Sequence, residues 1–153
     1  DMWPGLKRSL LLMVHLTRAE AWFMRGSIAL AVCARAPDAE QAKMASRAIR
    51  ILSKEASAFS RAIGASLAAT RARLAGHRED ATGHLARAEQ LFLDAAMPAH
   101  VAATRWSLAR MRGDDAAEKQ EEAQLRAAGI ARPRRFVAVL VGAHDLADPS
   151  GTS

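Results

Sequence analysis

Four residues able to ligate a metal or move a proton, His77, Glu79, Asp80 and His84, fall within eight positions of the stretch LAGHREDATGHLARAEQLF at 74–92. Imidazoles and carboxylates together could hold zinc or work as a general acid and base. Zinc sites, however, present two close ligand pairs or a His-Glu-x-x-His turn of helix, and this run has neither. His77 and His84 would share a face only on an unbroken helix, and Gly76 with the charged run 77–80 interrupts one. His77 is therefore placed in a turn and His84 on the first turn of the next helix. Glu79 and Asp80 suit the positive end of that helix, with Asp80 as a capping signal. The stretch is read as punctuation rather than chemistry.

The other histidines, His15, His100 and His144, are dispersed, and no Ser stands in a Gly-x-Ser-x-Gly turn. There is no Gly-rich kinase loop, His-Arg-Asp or Asp-Phe-Gly triplet, and no Walker loop. The chain is expected to be non-catalytic, with no catalytic, cofactor-binding or metal residue assigned and no cofactor.

Helical spacing of apolar residues runs through almost the whole chain, and no segment alternates with period two over a useful length. A first long helix starts near Pro4 and carries Leu6, Leu10, Val14, Trp22, Ile28 and Val32, up to the break at Pro37 and Asp38. The second carries Met44, Ala48, Ile49 and Leu52; the third Phe59, Ile63, Leu67 and Leu74, ending at Gly76. The fourth carries Leu85, Ala88, Leu91 and Phe92 and stops near Pro98; the fifth carries Val101, Leu108 and Met111 and ends at Gly113. A sixth runs from Asp115 to about Ala128, with Gly129 closing it. A short seventh segment, RPRRFVAVLVG, ends at Gly142, with Phe136, Val139 and Leu140 expected to cover the last hairpin. The expected fold is all-α: stacked antiparallel hairpins of about six helices plus a short C-terminal capping helix, one domain over 1–142, then a polar, disordered tail over 143–153.

Ala is abundant, Tyr is absent, and Arg far outnumbers Lys among the 22 basic residues. Such usage points to a GC-rich bacterial genome. Ala favours helix and close interdigitation, so a core can be built with few bulky residues. The net charge of +6 is read as an Arg-rich solvated surface. Cys33 is the single cysteine and cannot form an internal disulfide, which fits a reducing cytoplasm. It is read as a small core residue. The apolar run LLLMV at 10–14 is too short to span a membrane, and no small-residue cleavage site follows it. The opening DMWPG is read as the start of a piece cut from a longer protein.

The turns RAPDAE (35–40), HREDAT (77–82) and RGDDAA (112–117) place Asp-Ala at 38, 80 and 115, spacings of 42 and 35 residues. A helix on each side of turns so spaced marks stacked α-hairpins. On these residues the chain resembles the tetratricopeptide superfamily over roughly 18–128. Trp22 stands four residues before Gly26, and Gly76, Ala81, Leu85 and Ala88 match the turn and packing stripe of the second helix. LTRAEAWFMRGSIALA, then LARAEQLFLDAAMPAHVAATRWSLARMRGDD, then AAGIARPRRFVAVLVG also looks like the C-terminal helical region of large bacterial, myxobacterial-type serine/threonine protein kinases, with Gly129, Ile130 and Pro133 fitting its closing segment. The resemblance implies an interaction or regulatory module of a multidomain signalling protein. The alternative is a helical effector or nucleic-acid-associated domain of a transcription regulator or ATPase. In the repeat register Arg73 matches Arg110, and Thr70 matches Ser107. Inner-helix residues line the concave groove of the superfamily, so these four are the candidates for gripping a protein or peptide, acidic by the match to Arg. Nucleic acid and membrane partners are not expected.

Overall fold

The computed structural model describes residues 3–142, with side chains from residue 13 onward. The tail at 143–153 and the side chains of Leu6 and Leu10 lie outside the described residues. Among the described residues there are seven helices and no strand: α1 (Trp3–Arg35), α2 (Ala39–Ser53), α3 (Ala58–Leu74), α4 (Arg78–Asp94), α5 (Pro98–Arg112), α6 (Asp115–Ala127) and α7 (Pro133–Val141). None of them is long and apolar enough to cross a membrane.

The boundaries follow from local chemistry. Asp38 accepts a hydrogen bond from the Gln41 amide at 3.0 Å and opens α2; Asp114 accepts one from the Ala117 amide at 3.0 Å and opens α6. Pro98 and Pro133 sit at the first helical position of α5 and α7, where a missing N–H costs nothing. At α4 the expectation needs correction. Asp80 lies inside the first turn, and His77 holds the cap position without a side-chain cap bond.

Two Ala-rich helices form the interior. Along α3, Ala62, Ile63, Leu67, Ala68, Ala69 and Ala72 are buried; along α5, Val101, Ala102, Ala103, Trp106, Leu108 and Ala109. The hydroxyls of Ser66, Thr70, Thr104 and Ser107 each donate to the carbonyl four residues back, so these helices carry polar side chains inward with their donors satisfied. Consecutive helices pack on one another, and α1 also reaches α3. Gly26 faces both neighbours: a Cβ there would lie 2.6 Å from Leu67 Cδ1 and 3.0 Å from Ala48 Cβ, so an added methyl must displace the Leu67 side chain.

The face that α1 buries is not the one its bulky residues mark. Val14, Ile28 and Val32 are exposed, whereas Ala19, Phe23, Gly26, Ala29 and Leu30 are buried. Leu74 and Val139, expected in the core, are exposed as well. Leu85, Ala88, Leu91 and Phe92 are buried along α4 as expected, while Met44, Ile49, Phe59 and Met111 are half-buried against the core.

Helix α7 lies against α5 and α3 and touches α6 less, so it does not simply cover the end of the last hairpin. Val137, Leu140 and Val141 are buried on that side, and Phe136 is half-buried.

Candidate functional site

The placement of α7 decides what the four groove candidates do. Thr70 is buried on α3; besides its own-helix bond, its hydroxyl lies 2.5 Å from the Val141 carbonyl. One turn on, half-buried Arg73 donates through Nη2 to the Gly142 carbonyl at 2.5 Å. The last carbonyls of a helix have no partner within it and carry partial negative charge, so a guanidinium there both caps and neutralises. Gly142 takes φ +59°, and a Cβ on it would come within 2.5 Å of Thr70 Cγ2. Thr70 and Arg73 therefore form a socket for the C-terminal end of α7.

The pair on α5 matched to them in sequence, Ser107 and Arg110, is used differently. Ser107 is buried, with its hydroxyl on the Ala103 carbonyl. Arg110 is exposed; its guanidinium stacks over the Trp106 ring at 5.4 Å and reaches Glu118 at 3.3 Å. A guanidinium has five donors, so the pairing with Glu118 leaves others for a ligand. A cavity of about 210 Å³ beside the end of α7 is lined by Arg73, Ser107, Arg110, Trp106, Leu85 and Val141 among others. The lining includes two guanidiniums and no carboxylate. Trp106 is 1% exposed, and its buried Nε1–H has no acceptor. The structure thus brings Arg73, Ser107 and Arg110 around one cavity and gives Thr70 to α7.

The cluster at 77–84 does not assemble. His77 and Asp80 approach to 3.8 Å with both side chains about two-thirds exposed, a weak surface pair. His84 faces a different concavity, with Arg61 and Arg87. Among the described residues no group of three or more His, Cys, Asp or Glu could hold a metal. Cys33 is half-buried rather than in the core, its thiol directed to the Asp38 carbonyl at 3.6 Å.

Two titratable groups escaped the sequence reading. His100 stands among Phe59, Phe92 and Phe136 with ring centroids 6.0, 5.0 and 5.3 Å away, and burial pushes its pKa down. Its signal was an aromatic in each of three neighbouring segments, visible only once they pack. Glu121 sits in EKQEEAQL, which reads as a solvated face, yet it is 8% exposed with Oε2 unpaired. Burial raises its pKa, Arg105 opposes that, and Glu89 adds to it. Arg105 is already engaged by Glu89 at 2.7 Å.

No family model, curated protein or solved structure matches the chain. The fold and the cavity define an all-helical protein with a basic, partly apolar cleft, and the functional reading rests on that geometry.

Proposed function

We propose that this chain is a non-catalytic protein-interaction module, built as a tetratricopeptide-like stack of helical hairpins, that holds an acidic peptide or helix end beside α7. The cavity bounded by Arg73, Arg110, Ser107 and Trp106 carries the reading. Its charged lining is two guanidiniums, of which exposed Arg110 faces solvent, and its remaining walls are largely apolar, a combination that suits a carboxylate on an apolar stem. The packing of each helix on its sequence neighbours supports the hairpin stack. The signalling context, a regulatory region of a cytoplasmic bacterial serine/threonine kinase, is supported by the sequence resemblance alone.

The test is fluorescence anisotropy with labelled acidic helical peptides carrying a free C-terminal carboxylate, against the same peptides amidated and against basic controls. Arg110→Ala is expected to weaken binding of the acidic set by about tenfold or more, the scale of one charge-assisted hydrogen bond. Arg110 is exposed, so the fold is kept. Equal affinity of wild type and Arg110→Ala, or equal binding of acidic and basic peptides, would refute the reading.

A further inference from the structure

The 33 residues of α1 span about 50 Å, roughly twice the length of the 15-residue α2 beside it. Its inner side, Ala19, Phe23, Gly26 and Leu30, steps by four, three and four residues and is buried. Roughly opposite runs a second seam, Val14, Thr17, Ala21, Met24 and Ile28, stepping by three and four, and every one of these is exposed. Val14 is 63% exposed, Met24 52% and Ile28 58%, with Met13 and Val32 alongside at 65% and 39%. The Thr17 hydroxyl donates to the Met13 carbonyl at 2.9 Å, so this seam offers no unsatisfied donor. A helix apolar on two opposite sides is a helix packed on two sides. Alternating steps of three and four, here over two heptads from Val14 to Ile28, are the pattern of a helix–helix seam.

We propose that this outer seam pairs with the same seam of a second copy of the chain, the two α1 helices running parallel as a short coiled coil. With Val14, Ala21 and Ile28 at the a positions and Thr17 and Met24 at d, half-buried Ala31 being the next d position, Glu20 falls at g and Arg18 and Arg25 at e. In a parallel pair, g of one helix faces e of the next heptad of the other. That sets Glu20 against the partner's Arg25, and the two-fold axis repeats the contact. An antiparallel pair sets e against e and brings arginines together. Branched residues at a, here Val14 and Ile28, favour two strands. The inner seam stays on α2 and α3, so the rest of each chain lies on the far side of its own helix. The inference is independent of the cleft.

Sedimentation equilibrium of the chain is expected to show a dimer in the tens of micromolar. Ile28→Glu, on an exposed site, abolishes it while circular dichroism stays unchanged. Glu20→Arg and Arg25→Glu each weaken the dimer, and the double variant restores it. In a Cys33→Ser background, Met24→Cys gives an oxidised dimer, because parallel helices bring like d positions together. A monomer at all concentrations, a dimer indifferent to Ile28→Glu, or no restoration in the charge swap would overturn the proposal. So would the absence of a Met24→Cys crosslink, or binding to anionic phosphatidylserine vesicles without dimerisation.

Discussion

Replacing Gly142 by Ala tests whether α7 is seated on α3 by a fitted contact. Two costs arise. Gly142 lies in the left-handed region at φ +59°, where a Cβ costs about 1–2 kcal/mol. The same Cβ would meet Thr70 Cγ2 at 2.5 Å and Oγ1 at 2.9 Å, and relieving that overlap costs about 1–3 kcal/mol more. Lifting the end of α7 would also stretch the bonds from Thr70 and Arg73 to the Val141 and Gly142 carbonyls. The expected loss is about 3 kcal/mol. Gly113 is the internal control: it has φ +71° and nothing within 4 Å of an added Cβ, so Gly113→Ala should lose only the conformational part, about 1–2 kcal/mol. Urea unfolding followed by far-UV circular dichroism reads both. Thr70→Ala in the Gly142→Ala background removes the clashing atoms and leaves the nearest contact at 3.3 Å, so the double variant should lose about 1 kcal/mol less than the sum of the singles. Equal losses at Gly142 and Gly113, or additivity of the Thr70 and Gly142 changes, would refute the seating of α7 on Thr70.

The pKa of His100 is pushed down by burial, so the unfolded chain takes up its proton first. Stability is then full above the ordinary value of 6.5 and declines as pH falls below it toward the lowered value; His100→Phe should remove that decline in pH-dependent urea unfolding. Glu121 works in the opposite sense. Burial raises its pKa above the ordinary 4.5, so the folded state gains stability as pH falls through the raised value. Glu121→Met should flatten that gain and raise stability at neutral pH by about 1 kcal/mol, since it removes an unpaired buried carboxylate oxygen. Gly26→Ala should destabilise by about 1–3 kcal/mol through overlap with Leu67 and Ala48, measured in the same unfolding assay.

Helix boundaries were legible because the chain is punctuated by residues whose effect is local. Asp38 caps, Pro98 and Pro133 start helices, and Gly113 and Gly142 end them in the left-handed conformation. The seat of α7 was not legible. Its sequence announces an apolar face, but the choice of α3 and α5 as supports rests on Thr70 and Arg73, far away in the chain. Arg73 and Arg110, matched in sequence, do line one cavity. Repeat spacing could not tell that one would cap a helix while the other stacked on Trp106. Glu121 was hidden by its acidic neighbours, which look the same in sequence whether a side chain points out or in.

The first helix shows why counting bulky apolar residues can select the wrong face. Leu, Ile and Val draw attention to the side that carries Val14, Ile28 and Val32, all exposed. The packed side is made of Ala19, Gly26 and Ala29 with Phe23 and Leu30 between them. Small residues are there because the helices approach closely: Gly26 has no room for a Cβ against Ala48 and Leu67. On α1 the buried face is thus marked by small residues as much as by bulky ones. A bulkier stripe elsewhere on the same helix then calls for its own explanation, because large apolar groups left in water oppose solubility. Pairing of α1 with a second copy supplies that explanation with residues in register and charges matched, which a solvated role for Met24 and Ile28 does not.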